Sequence, residues 1–192
     1  DLTGARKTRD KILSDIKREM GARVEVSPDQ GVVRLQGDVL FGSAEAELSA
    51  TGRTDVDQLA AVMARVLPCH VAVAGLSRPP GCTPGSHRIE ALLVEGHTDS
   101  DVMKGVRDNL NLSAERAIST YRRIEPVLGE VRKREGGERL LSVSGYGPDR
   151  PIATNATEQG KARNRRIDIR FIMETPEAPE AVQAVRQGLE QQ

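Results

Sequence analysis

Apolar residues recur along this chain with two distinct periods. Ile12, Leu13, Ile16 and Met20 stand at helical spacing among Lys, Arg and Asp, which predicts an amphipathic helix from about Thr8 to Met20 with Gly21 at its C-terminal cap. Val24 and Val26, the turn residues Ser27-Pro28-Asp29-Gln30-Gly31, and the run Val32-Val33-Arg34-Leu35 predict a β-hairpin. From Thr54, the positions Val56, Leu59, Ala60, Met63, Val66 and Leu67 follow one helix face until Pro68 stops it. A strand is expected over Ile89 to Glu95. Ala117, Tyr121, Ile124 and Leu128 mark a second long helix starting near Leu112. Leu141 and Val143 form a short strand ending at Gly145-Tyr146-Gly147-Pro148. Ile167, Ile169 and Phe171 alternate with Arg166, Asp168 and Arg170, the period-2 pattern of a strand with one buried face.

With a short helix before the last strand, the order is hairpin, helix, strand, helix, strand, helix, strand. Interleaving of this kind predicts a two-layer α/β (α+β) sandwich, its helices packed on one face of a mixed β-sheet. The expected organisation is an amphipathic linker helix over 1–22 and a domain over 23–173, interrupted by a Pro/Gly-rich insertion at 75–87. A Glu/Pro/Ala/Gln-rich tail follows over 174–192, where Val182, Val185 and Leu189 could face one side of a marginal helix. The charged stretch Glu130 to Arg139, with Gly136-Gly137, reads as a solvated extension and turn.

Composition narrows the function classes. At 192 residues the chain has room for one core of ordinary size plus attachments. Its 28 Lys+Arg balance 28 Asp+Glu, whereas a polyanion binder carries a basic excess. Two Tyr, two Phe and no Trp leave little for base stacking, so no nucleic acid partner is expected. The basic run Lys161, Arg163, Arg165, Arg166 and Arg170 lacks aromatic interleaving and reads as a solvated strand edge plus one ligand arginine. No stretch reaches the roughly 18–20 apolar residues of a membrane span, and Asp1-Leu2-Thr3-Gly4 has neither Met nor an apolar leader. The expectation is a mature or excised piece whose anchor lay upstream.

Three polar clusters fall at strand or helix ends, where sites on α/β domains lie. They are Glu95-Gly96-His97-Thr98-Asp99, then Asn109-Leu110-Asn111-Leu112-Ser113-Ala114-Glu115-Arg116, then Gly160-Lys161-Ala162-Arg163-Asn164-Arg165-Arg166. Together with Ser144-Gly145-Tyr146-Gly147 through Pro151 and Asn155, these ordered motifs resemble the OmpA/MotB-type C-terminal domain. Upstream, Asp38-Val39-Leu40-Phe41 and Ala46-Glu47-Leu48 resemble that family's opening strand and loop. The likeness spans about Val32 to Phe171. It implies an OmpA-like fold and a noncatalytic periplasmic anchor that grips peptidoglycan by the diaminopimelate of its stem peptide. By the same resemblance the ligand-binding residues are Thr98, Asp99, Asn109, Leu112, Arg116 and Arg165, with Phe41, Asp108 and Arg166 as secondary candidates. Three departures bear on ligand contacts: Gly42 stands where relatives often carry Asp, Lys161 replaces a frequent Arg, and the 100–108 segment is about two residues longer than usual.

The residue chemistry suits that ligand. The free end of diaminopimelate holds an ammonium and a carboxylate close together, so its receptor needs an anion and a cation at fixed separation. Asp99 can take the ammonium, and Arg116 offers a planar fork for the carboxylate. Asn109, Leu112 and Arg116 at i, i+3 and i+7 share one helix face if the helix begins near Asn109. Ser113 is the expected N-cap, where free N–H groups favour an anion. Without the surrounding motifs, Asp99 and Arg116 would read as a plain structural ion pair; the ordered motifs favour the ligand role.

A narrower likeness lies in the flanks. The charged N-terminal helix, Val32-Val33-Arg34-Leu35-x-Gly37-Asp38-Val39-Leu40-Phe41, the Cys69…Cys82 insertion and Asn164-Arg165-Arg166-Ile167-Asp168-Ile169-Arg170-Phe171 resemble the ZorB stator family of Zorya anti-phage systems. That resemblance implies an inner-membrane parent, a homodimer in the assembly and a MotA-like membrane partner engaged through an upstream segment. An outer-membrane anchor of the OmpA/Pal type without a motor is the alternative, and a periplasmic cell-wall hydrolase a third. Against the hydrolase, His97 has no G-x-S-x-G elbow near it and no nucleophile with an evident base, and it is expected to bond backbone at a strand end. Cys69, His70, Cys82 and His87 lack zinc-module spacing, so no metal or other cofactor is expected. Two cysteines bracketing a Pro/Gly-rich loop in a suspected periplasmic protein read instead as a disulfide, Cys69 to Cys82.

Overall fold

A computed structural model describes residues 2–73, 75–82, 85, 87–102, 108–134 and 136–174. Helix α1 (Leu2–Met20) begins six residues before the expected start. Its first turns carry little apolar signal and are held by Ala5, which is buried. Strands β1 (Glu25–Ser27) and β2 (Val32–Gln36) form the hairpin, and a one-turn helix, α2 (Gly37–Leu40), follows. Helix α3 (Ala50–Val66) starts four residues ahead of the expected Thr54 because Ser49 caps it, accepting from the Gly52 N–H at 2.9 Å. Strand β3 (Ile89–His97), helix α4 (Asn109–Ile124), strand β4 (Leu141–Gly145), helix α5 (Glu158–Asn164) and strand β5 (Arg166–Met173) complete the order.

The sheet runs β1-β2-β5-β3-β4, antiparallel except for the β3/β4 pair, which is parallel and linked through α4. Directly paired residues share a face, so the register separates two chemistries. Leu35 opposite Ile167, Val33 opposite Ile169 and Leu92 opposite Phe171 form the apolar face. Ile12, Leu13, Ile16 and Met20 of α1, Val56, Leu59, Ala60 and Met63 of α3, and Ala117 and Ile124 of α4 join the same core. This is the expected two-layer α/β sandwich on a mixed sheet. The helix at 1–22, expected as a linker, packs into this core with Ile12, Leu13 and Ile16 fully buried. At about 25 cal/mol per Å² of apolar area, those three side chains make α1 an integral part of the folded unit.

Two expectations are corrected. The 130–139 stretch is not wholly solvated: a 3-10 segment, Glu125–Arg132, follows α4 and buries Leu128 and Val131. Nor does β5 have only one buried face. Arg34 opposite Asp168, Glu95 opposite Asp168 and His97 opposite Arg166 occupy the far side, and all five are at least 95% buried. Alternation reads side-chain direction but not what covers each side; here opposed charges satisfy one another. Cys69 and Cys82 form a disulfide that closes the start of the insertion, which removes both thiolates as metal ligands. The 175–192 tail, with the helix expected around Val182, Val185 and Leu189, lies outside the described residues.

Candidate functional site

Helix α4 lies unusually close to the sheet at its first turns. A Cβ on Gly96 would fall 1.9 Å from the Ser113 carbonyl oxygen, and one on Gly145 would fall 2.7–2.8 Å from Ala114. Only glycine at those two paired strand positions lets α4 dock there. The docking brings Asn109, Leu112 and Arg116 beside the end of β3, where the chain continues into Thr98 and Asp99. The loop after β2, the α5–β5 junction and these residues enclose a cleft of about 570 Å³.

Thr98, Asp99, Asn109, Leu112, Arg116 and Arg165 all line this cleft, as does Phe41. Asp99 is 7% exposed: one carboxylate oxygen accepts from Arg165 and the other from the Asp101 N–H at 3.0 Å. Asn109 donates through Nδ2 to the carbonyls of Asp99 and Asp101 at 3.3 and 2.8 Å, tying α4 to the strand end. Arg165 is held on its other side by Asp38, whose two oxygens accept from Nε and Nη2 at 2.7 and 2.8 Å. The Asp38 carboxylate, working against burial and assisted by Asp99, raises the Arg165 pKa and keeps it cationic. Asn164 fixes the neighbouring turn, accepting from the N–H groups of Ile152 and Ala153 and donating to Ala153 O and Asn155 Oδ1.

Asp99 and Arg116 do not form the plain ion pair that is the alternative to their ligand role. Asp99 pairs with Arg165. Arg116 directs Nε and Nη2 to the carbonyls of Glu45 and Gly42, at 2.7 and 3.1 Å, and lies over the Phe41 ring. It therefore holds the 42–45 rim of the cleft. Within that rim Ala44 has φ 57°, the left-handed region that is costly for a residue with a Cβ.

The expected N-cap is corrected as well. Because α4 begins at Asn109, its cap is Asp108, which accepts from the Asn111 N–H at 2.7 Å. Ser113 sits in the second turn, accepting from Gly147 N–H and donating to Leu110 O. Asp108 is thus a helix cap. Arg166 lies outside the cleft, on the far face of the sheet, donating to Asp168, Asn164 O and Arg150 O.

The sequence model of the OmpA family matches residues 82–165. That match covers 84 of the 192 residues, under half of the chain. Among curated relatives it is 29% identical over 158 residues to the probable lipoprotein YiaD of Escherichia coli, covering 82% of this chain and 58% of that protein. It is 23% identical to motility protein B of Bacillus subtilis, covering 88% of this chain and 55% of the relative. A 78-residue stretch, 40% of this chain and 21% of the relative, is 36% identical to the peptidoglycan-binding protein ArfA of Mycobacterium tuberculosis. The chain thus spans little more than half the length of YiaD and motility protein B. Among solved structures, a putative MotB-like protein from Desulfovibrio vulgaris shares the fold, with TM-score 0.63 and 18% identity over 92% of this chain and 98% of that one. The cell wall anchor of the T6SS from Pseudomonas aeruginosa superposes with TM-score 0.58 at 25% identity, covering 85% and 96%.

The far face of the sheet carries a second polar cluster. Asp168 accepts from Arg34 at 2.8 and 3.0 Å and from Arg166 at 3.1 Å, while Glu95 accepts from Arg170 at 2.7 and 2.9 Å. Burial opposes ionisation of Glu95, yet His97 and Arg170 together bring its pKa down to about 2. His97 does not bond backbone as expected. It stacks on Tyr146 at 5.2 Å, and its Nε2 lies 3.7 Å from Glu95 and 3.9 Å from Asp168. Burial first, partly opposed by Glu95, lowers its pKa and favours the neutral ring. Donor atoms of Glu95, His97 and Asp168 come within 4.8 Å of one another, a spacing a metal could use. Three guanidinium groups already neutralise the two carboxylates, so the charge of the cluster does not fit a cation.

Asp38, Asp101 and Glu158 also line the cleft, and sequence reasoning did not single them out. Asp101 carried a signal, since it stands two residues after Asp99 in a turn. Lys161 bridges Asp101 and Glu158 at 2.9 and 3.0 Å, and these two acids raise its pKa. Asp38 stood in the Asp38-Val39-Leu40-Phe41 motif, of which only Phe41 was named as a candidate, because a one-turn helix shows no period.

Proposed function

We propose that this OmpA-family domain is a noncatalytic peptidoglycan anchor that binds the diaminopimelate of a stem peptide in the cleft. The observation that carries the reading is the cleft itself: a buried carboxylate, Asp99, beside the guanidinium of Arg165, with Asn109 and Leu112 on the adjoining helix face. Such a pair matches a zwitterionic amino-acid end, the ammonium to Asp99 and the carboxylate to arginine. Peptidoglycan binding by ArfA and cell wall anchoring by the T6SS protein support it. Ser113, the hydroxyl that a triad reading around His97 and Asp99 would use, spends its oxygen on Gly147 N–H and Leu110 O rather than on His97, which favours binding over hydrolysis.

The parent protein is read as an inner-membrane, MotB-like stator subunit of the Zorya type, anchored in the periplasm, dimeric, and coupled to a MotA-like membrane subunit. The likeness to motility protein B supports a motility-type parent, and the flanking motifs support the narrower type. The likeness to YiaD favours a second reading, a lipoprotein anchor sharing the site but lacking a motor.

Co-sedimentation with purified sacculi tests the anchor. The wild-type chain is expected in the pellet, and Asn109→Ala/Leu112→Ala/Arg116→Ala in the supernatant; equal retention of both refutes the site. Release of soluble muropeptides by the wild-type chain would show a hydrolase instead.

A further inference from the structure

The two halves of α1 present one stripe to different surroundings. In the second half Ile12, Leu13, Ile16 and Met20 are buried in the core. Followed back at helical spacing, the same stripe continues through Arg9, Arg6, Ala5 and Leu2. These four line a groove of about 500 Å³ whose other wall is the end of β5, Ile172 to Glu174. Pairing of β2 with β5 stops at Val32 opposite Arg170, so among the described residues that strand end is flanked by β3 alone. Leu2 is 76% exposed there. The groove lies at the opposite end of the sheet from the cleft, since Met173 pairs with Ile89 at the start of β3 and the cleft follows its last residue, His97.

We propose that this groove is a docking site for residues 175–192 of the same chain, which pack into it as a short amphipathic helix and brace the first half of α1 against the sheet. The inference is independent of the peptidoglycan reading. Ala178, Ala181, Val182, Val185 and Leu189 stand at i, i+3, i+4, i+7 and i+11, and Pro179 and Glu180 suit a first turn. A helix of about 11 residues is marginal in water until its apolar stripe is buried. From Pro179 to Leu189 it spans about 16 Å, enough to cover residues 2–9 of α1, which span about 10 Å. Its tether is fixed at the groove. Glu174 lines it, donating N–H to Arg88 O at 2.8 Å and accepting from Arg134 at 3.2 Å. Thr175 to Ala178 then reach about 13 Å when extended, and so short a linker holds the segment at an effective concentration in the millimolar range. Charge complements shape: residues 2–11 carry four basic groups against one acid, net +3, while residues 174–192 carry four acids against one base, net −3. The Arg6–Asp29 pair at the rim is solvent-exposed, and such a pair changes partners at little cost.

Hydrogen–deuterium exchange of the full chain tests this. In the wild type, amides 181–190 are expected to exchange at least about tenfold more slowly than in a free peptide of the same sequence, and dilution is expected to change nothing. Val182→Asp/Val185→Asp is expected to abolish that protection and to speed exchange over residues 5–11 of α1. Leu2→Asp/Arg6→Glu alters the opposite wall at two exposed positions and is expected to deprotect 181–190 as well. A wild-type segment that exchanges as fast as the free peptide overturns the proposal. Protection that survives either double variant, or a tail variant that leaves 5–11 unchanged, overturns it by placing the segment elsewhere. Protection that falls on dilution overturns it by assigning the groove to a second copy. None of these outcomes bears on sacculus binding, so the anchor reading stands or falls separately.

Discussion

Lowering pH should release a defined part of this domain's stability through Glu95. Its carboxyl is 1% exposed on the far face of the sheet, and its pKa in the fold is about 2 against an ordinary 4.5. A depressed folded-state value means the unfolded chain binds the proton more readily. The stabilisation is therefore complete above pH 4.5 and lost as pH falls through about 2. Full loss corresponds to about 3 kcal/mol, of which about 2 kcal/mol is gone by pH 3. Other carboxylates titrate in the same window, so the informative quantity is a difference. Glu95→Gln keeps the shape, removes the titration and weakens the grip on Arg170 at neutral pH. Urea unfolding of both proteins at pH 7, 5, 4 and 3 should show wild type ahead at pH 7 and the gap narrowing by about 2 kcal/mol at pH 3. Parallel pH profiles would refute the assignment of that stability to Glu95.

Gly96→Ala places a methyl group 1.9 Å from the Ser113 carbonyl oxygen, forcing α4 off the sheet. Denaturant unfolding should register a loss of about 1–3 kcal/mol, and sacculus retention should fall with it because Asn109, Leu112 and Arg116 ride on the displaced helix; a variant within 0.5 kcal/mol of wild type with full retention would refute the close-approach argument. At exposed Ala44, with φ 57°, Ala44→Gly is expected to be neutral or mildly stabilising and Ala44→Val to cost about 1–2 kcal/mol. Thermal unfolding of the three proteins checks the order, and indistinguishable midpoints would contradict a strained rim.

The α3 and β5 patterns show how much of the fold periodicity carries. Val56, Leu59, Ala60 and Met63 announce a helix face, and all four are buried on it; Ile167, Ile169 and Phe171 announce a strand and line the core. Helix starts were less legible. Ser49 and Asp108 set the starts of α3 and α4 through single side-chain bonds to N–H groups three residues on, ahead of any repeat. The six primary cleft residues, Thr98, Asp99, Asn109, Leu112, Arg116 and Arg165, were nameable from ordered motifs, because strand ends and helix starts concentrate them.

The sequence by itself determined the layer order and the apolar face of each element. These follow from local spacing, which the chain carries wherever it goes. Only the tertiary structure decided who pairs with whom. Asp99 meets Arg165 rather than Arg116, and Asp38 reaches Arg165 across 127 residues of sequence. Glu95, His97 and Asp168 are buried on a face that alternation alone marks as polar. Charge pairing depends on distances of a few ångströms between segments remote in sequence, and those are fixed by strand register and by how closely α4 settles on Gly96 and Gly145.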